Sequence, residues 1–323
     1  MRSSLVVGAL ALSACNTSNP PPAGDSGPVG NDTGVTPDAG PIACPSTGVN
    51  APPDPQQQMG PCCYRVSQAD HQDMPELRLR YLDITAPAGA GLVSSATQAL
   101  LNGSLESETF NWLIRGMGGT GDGPITIETG YGTRDASSGT YSFSTMSRYA
   151  PVTLSGTVTS DVVTTQPDSG TLIVPVFDPT GMTLEVELPL HNVQVDMSTF
   201  SEDRSCIGAI QARGSFTTPA TLSGFLLVSE TQTTMINVSP INAQLCTLVA
   251  SHGFTEPSGG GHYCDADQST WAVQPDSLCP TTGQCMLDDG SGSTCSHDGT
   301  GATPCNAWQL VSGFAAVGVD INP

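Results

Sequence analysis

The chain predicts a mainly β fold, an antiparallel β-sandwich or barrel with one or two short helices and a disulfide-rich insertion. Three observations carry that expectation. Between residues 77 and 240 the apolar side chains recur with period two, not 3.6. Clusters of Gly, Asp, Ser and Pro interrupt those runs about every ten to fifteen residues, the punctuation of short strands joined by turns. Eleven cysteines are present, and five of them crowd into residues 264–305, where the period is lost.

Taken in order, the first strand reads Leu77-Arg78-Leu79-Arg80-Tyr81. Arg78 and Arg80 share one face of it, and the nearby Asp73 and Glu76 predict local ion pairs in preference to an anion site. Residues 92–101 place Leu92, Val93, Ala96, Ala99 and Leu100 on one helical face. Phe110/Trp112/Ile114 and Ile125/Ile127 alternate again, joined by Gly118-Gly119-Thr120-Gly121-Asp122-Gly123. That glycine-rich loop leads into Pro124 and another strand rather than a helix, so it predicts a hairpin connection and not a phosphate cradle. Tyr141/Phe143, Val152/Leu154/Val158 and Leu172/Val174/Val176 continue the series. The clearest alternation sets Met182, Leu184, Val186, Leu188 and Leu190 against Thr183, Glu185, Glu187 and Pro189, with His191 expected at the strand's end. Ser239-Pro240 reads as an N-cap and first-turn proline opening a helix over 241–251. Residues 252–305 predict a disulfide-stapled insertion hanging from the sandwich, and 308–321 returns to the sheet.

Ahead of this body lies a different kind of sequence. Residues 1–14 combine Arg2 with a short apolar core from Leu5 to Leu12, eight residues that would span only about 12 Å as a helix, too short to cross a bilayer. The end of the run, Leu12-Ser13-Ala14-Cys15, resembles the lipobox of bacterial lipoproteins. That resemblance implies cleavage before Cys15, acylation of its sulfur and then its amine, and a cell-envelope address. Asn16 is not the aspartate that retains many such proteins in the inner membrane, so the resemblance favours the outer membrane, facing either the periplasm or the outside. Two or three acyl chains hold a soluble domain to a membrane where one does not. Residues 15–61 then predict a lipid-anchored flexible tether: positions 16–43 hold six prolines, five glycines and no aromatic residue. The folded domain is expected over 62–323, with the Cys-rich segment at 252–305 inside it.

Composition excludes several chemistries. All nine basic residues are arginines, so no lysine exists for a P-loop or a Schiff base. A formal net charge of −21 excludes a nucleic-acid partner. With Cys15 set aside, Cys44, Cys62, Cys63, Cys206, Cys246, Cys264, Cys279, Cys285, Cys295 and Cys305 form an even set delivered to an oxidising compartment, which predicts five disulfides. The odd count in 264–305 requires at least one bond to leave that segment. Zinc is not expected, because no C-x-x-C or H-x₃₋₅-H spacing occurs.

Few motifs carry chemistry. Gly24-Asp25-Ser26-Gly27-Pro28 resembles the nucleophile segment of trypsin-like proteases but lacks one glycine and lies in the tether. Asp265, Asp267, Asp288 and Asp289 are the candidate calcium ligands, oxygens at alternate positions in a loop; the competing reading is ordinary turn chemistry. No cofactor is otherwise implied. His191 has no partner singled out by spacing. Trp112 and Trp308 read as core, whereas Trp271 is expected to be exposed and is the one candidate sugar platform. The expectation for function is a non-catalytic binding or interaction module, its partner an envelope or extracellular protein or a polysaccharide. The alternatives are a structural envelope protein and a lipid-anchored hydrolase with carboxylates as acid and base.

Overall fold

The computed structural model describes residues 73–323 apart from 119–120, 178–182, 198–203, 209, 213–214, 217, 239–240, 251–253, 256–261, 266, 289–293 and 298–302. The signal segment, Cys15, the tether, Cys44, Cys62, Cys63, His71, His252 and Asp289 lie outside the described residues.

The expected β fold is present as an antiparallel barrel. Its strands are β1 (Glu76–Ala86), β2 (Asn111–Met117), β3 (Gly123–Arg134), β4 (Val152–Thr159), β5 (Val162–Thr165), β6 (Thr171–Phe177), β7 (Leu184–Met197), β8 (Ala220–Leu227) and, after a long excursion, β9 (Ala307–Gly318). Each pairs antiparallel with the next in the chain except β5 with β6, which both pair with β7 and lie along the same side of it. The register makes those two nearly one interrupted strand, since Val163 faces Met197 and Thr171 faces His191. Finally β9 pairs with β1, from Leu77↔Gly318 to Ala86↔Val311. That last ladder closes a ring of eight, which removes the exposed edges an open sheet would leave.

Closure makes one face of every strand interior. Leu77, Leu79, Trp112, Ile114, Ile127, Leu154, Val195, Trp308 and Phe314 fill the main core. On the opposite face of β2, Leu113 packs with Tyr141, Val319 and Ile321, so the C-terminal tail covers that wall. The Gly118–Gly123 stretch joins paired β2 and β3, as a hairpin connection should.

Several expectations change. Arg78 is buried beside the helix that follows β1; its Nε donates to Asn111 Oδ1 at 2.6 Å and its guanidinium also donates to Leu105 O. Glu76 also pairs across strands, with Arg115 of β2 at 3.0 Å. The first helix, α1 (Ser95–Ser107), runs beyond 101 and buries Leu101, Ser104 and Leu105. The second helix does not open at 241. Instead Met235–Val238 and Ile241–Gln244 pair antiparallel, Val238 facing Ile241, while Ser239 and Pro240 lie outside the described residues. Only then does a helix, α2 (Leu245–Ala250), begin.

The stapled segment is not a hanging insertion. Trp271 is 3% exposed and stacks on Trp308 at 5.4 Å between ring centres. Its indole N–H donates to Asp265 O, and that of Trp308 to Val273 O. Ser277 pairs with Ala307, adding a short strand to the barrel sheet. Three disulfides join Cys246–Cys264, Cys279–Cys285 and Cys295–Cys305, and Cys206 is also disulfide-bonded. The first of these is the bond expected to leave residues 264–305.

Candidate functional site

The barrel end where β1 finishes and β9 begins is covered by α1, α2 and the paired strands Met235–Val238 and Ile241–Gln244. Alpha-helix α1 starts at Ser94, whose side chain caps Thr97 N–H at 3.3 Å. It docks through amides as well as apolar contacts. Beta-strand β1 pairs with β2 only over residues 76–78, which leaves the later part of that edge open. Asn102 fills it, donating to Leu82 O and accepting from Leu82 N, both at 2.9 Å, while Gln98 donates to Ile84 O at 2.8 Å. On the other side Gly91 meets α2: a Cβ there would stand 2.8 Å from Leu248 O and 2.7 Å from its Cδ1. Only glycine permits that approach.

These elements line a half-open pocket of about 330 Å³. Leu92, Leu100 and Leu101 form one wall, Val176, Val186 and Leu188 of the β6–β7 hairpin another, and Ile236, Leu245 and Leu248 the third. Thr97 and Thr247 also line it, but their hydroxyls donate to Gly91 O at 2.8 Å and Gln244 O at 2.7 Å, so backbone carbonyls already engage them. Glu185, 8% exposed, is the single ionisable residue among the described residues of the lining. The volume lies within the roughly 300–1,000 Å³ typical of small-molecule pockets, and the surface is what an apolar ligand requires.

Three polar clusters lie elsewhere. His191 stands in the middle of β7, not at its end, opposite Thr171 of β6. Its Nδ1 is 3.1 Å from Thr171 Oγ1 and its Nε2 is 2.7 Å from Glu230 Oε2, which aligns hydroxyl, imidazole and carboxylate. Glu187 accepts from Arg148 Nε at 2.7 Å and from Tyr149 Oη at 2.6 Å. The Arg148 hydrogen bond holds the Glu187 carboxyl below its ordinary value, while burial pushes the Tyr149 hydroxyl up. In the stapled segment His297 Nε2 lies 2.6 Å from the buried Asp288 Oδ2. Nearby Asp276 is pushed up by burial, although Gln309 N–H and Ser277 Oγ–H donate to it.

The chain matches no family model, no characterised protein and no solved structure. Its own geometry therefore carries the functional argument. Of the candidate calcium ligands, Asp265 Oδ1 accepts from Asp267 N at 3.0 Å, and Asp267 Oδ1 accepts from Ser269 N and Oγ at 3.0 and 2.6 Å. Those are the bonds of turns. Asp288 is turned to His297, and among the described residues no three His, Cys, Asp or Glu converge on a metal position. Trp271, buried under Trp308's ring, presents no sugar platform.

The pocket itself escaped sequence reasoning. Strict alternation along 182–190 placed Leu184 inward and Glu185 outward, yet Glu185 is buried and Leu184 is half-buried. A register shift between Val176 and Phe177 in the β6–β7 ladder disturbs the alternation there. An acid inside an otherwise regular apolar run was the available signal, but every second position of a half-buried strand tolerates one.

Proposed function

We propose that this chain is a lipid-anchored cell-envelope protein, held at the outer membrane through Cys15, whose barrel is a non-catalytic binding module. The apolar pocket of about 330 Å³ is the observation that carries the binding reading. Stability alone gives no reason to keep it: apolar walls without partner atoms lose packing contacts, and filling them would stabilise the domain. Its residues come from α1 and the turn before it, β6, β7, the paired strands Met235–Val238 and Ile241–Gln244, and α2, and scaffolds commonly assemble a ligand site from separate elements in this way. The anchor rests on the lipobox-like Leu12-Ser13-Ala14-Cys15, and no described helix is long and apolar enough to cross a membrane.

Two measurements test this reading. Cys15→Ser should move the protein from the membrane to the soluble fraction; persistence with membranes refutes the anchor. The full-length protein should bind the apolar dye N-phenyl-1-naphthylamine saturably, one per chain. Linear, non-saturating fluorescence refutes the pocket as a site.

A second reading has one observation in its favour. The Thr171–His191–Glu230 alignment has the connectivity of a nucleophile, base and orienting carboxylate, which supports the lipid-anchored hydrolase. Covalent labelling of Thr171 by a fluorophosphonate, lost in His191→Ala, would establish it; an unlabelled protein leaves the binding module standing.

A further inference from the structure

We infer that Cys206 is bonded to Cys62 or Cys63, that the other of those two is bonded to Cys44, and that these bonds clasp the chain leading to the anchor onto the barrel. The cysteine count carries the argument. Seven described cysteines are disulfide-bonded, and six of them pair among themselves as Cys246–Cys264, Cys279–Cys285 and Cys295–Cys305. Cys206 is the seventh, so its partner is one of the four that remain, Cys15, Cys44, Cys62 and Cys63. The proposed acylation takes the Cys15 sulfur out of that set, and the inference rests on that reading of the anchor. Adjacent residues hold their Cα atoms about 3.8 Å apart, short of the roughly 4.4–6.8 Å that a disulfide spans, so Cys62 and Cys63 do not bond to each other. A Cys44–Cys206 bond would leave them nothing else. In an oxidising compartment one of the two therefore takes Cys206 and the other takes Cys44.

Position makes the clasp reachable and gives it a consequence. Near the end of β9, Val317 faces Arg78 of β1 on one side and Cys206 on the other. Cys206 thus lies two inter-strand steps from β1, each about 4.8 Å. Cys63 precedes Glu76, the first residue of β1, by 13 positions, and an extended chain of that length reaches about 40 Å. This is the barrel end where β1 starts and β9 finishes, whereas the pocket lies where β1 finishes and β9 begins. Both attachments of the anchor chain to the barrel, the peptide link into β1 and the Cys206 bond, are then at the end away from the pocket. The stretch between Cys15 and the first clasped cysteine shortens to residues 16–43.

The test is a disulfide map of the native full-length protein, extracted from cells in detergent. Free thiols are blocked, and the unreduced chain is cut before aspartate and after arginine. Those cuts place Cys44 in residues 38–53, Cys62 and Cys63 together in 54–65, and Cys206 in 205–213. Mass spectrometry should find the three pieces as one species that separates on reduction. A species of 38–53 with 205–213 alone, or a blocked thiol on any of these four cysteines, overturns the inference. If 205–213 is joined to residues 15–24, Cys15 is not acylated and the anchor falls with the clasp. If Cys15 carries its acyl chains while 205–213 is joined to any other piece, only the clasp falls. A second measurement reads the consequence at the membrane. A protease site replacing residues 66–71 allows the peptide link to β1 to be cut. Once it is cut, membranes should retain the barrel until a reductant is added. Release at the cut, before any reductant, overturns the clasp and leaves the anchor standing.

Discussion

Glu187 and Asp276 are two carboxylates whose surroundings push stability in opposite directions with pH. Hydrogen bonding from Arg148 lowers Glu187, so its contribution is present above the ordinary value of 4.5 and is lost as pH falls through the lower native value. Burial raises Asp276, so its contribution is present below 3.8 and is lost as pH rises through the raised native value. Glu187→Gln should flatten the loss of stability on the acid side of 4.5. Arg148 is 64% exposed, so solvent screening keeps that effect small. Asp276→Asn keeps an oxygen to accept from Gln309 N and Ser277 Oγ while removing the buried charge, and should raise the melting temperature near pH 7. Melts of the three proteins from about pH 3 to about pH 7 check both signs; parallel curves would refute them. The carboxylates of Asp265 and Asp267 already serve their own loop, so chelator should leave the melt unchanged and millimolar calcium should shift it by less than about 1 °C. A calcium-dependent rise of several degrees would restore a metal site.

At the scale of elements, α2 shows how a ligand wall is held in place. It has six residues, too few to be stable as an isolated helix, so packing and a covalent tie must fix it. Leu245, Cys246, Val249 and Ala250 supply the buried face, and Cys246–Cys264 supplies the tie. With its cysteines 18 positions apart in the sequence, that bridge constrains the unfolded chain by about 3 kcal/mol. The double variant Cys246→Ser/Cys264→Ser should lose about that much in denaturant unfolding. Gly91→Ala should weaken dye binding by more than it lowers stability, because its new methyl group pushes on Leu248 O and moves one pocket wall. Equal dye affinity in Gly91→Ala would show that the wall absorbs the clash. The barrel strands away from this site were legible where period two survives, as in β3 and β4. Alpha-helix α2 was legible only in part: a helix is expected over 241–251, but Ile241–Gln244 is a strand and the helix begins at Leu245. What makes 241–244 a strand is its pairing with Met235–Val238, which no local propensity reports.

The whole molecule depends on two long-range events that no window of sequence contains. One is the β1–β9 ladder, which joins the two ends of the described chain and turns a meander into a ring. Alternation predicted strands for both partners yet left sandwich and barrel equally open, since both satisfy the same inward face. The other is the stack of Trp271 on Trp308, which converts a cysteine-rich loop region into part of the core. Its cue was absent because isolated Trp271 in a Gly- and Ser-rich segment has the local look of an exposed ring; only the partner 37 positions along, at the start of β9, reverses that. If the stapled segment and barrel are one cooperative unit, Trp271→Ala should destabilise the entire domain. The cost should be about 3–5 kcal/mol, the usual loss for a buried indole. Far-ultraviolet dichroism, which follows the barrel strands, and near-ultraviolet dichroism of Trp308 should still melt together at the lower midpoint. A segment that merely hung from the barrel would instead leave the strand signal at its original midpoint, and the disulfides of residues 264–305 would then be staples of an appendage rather than of the barrel's lid.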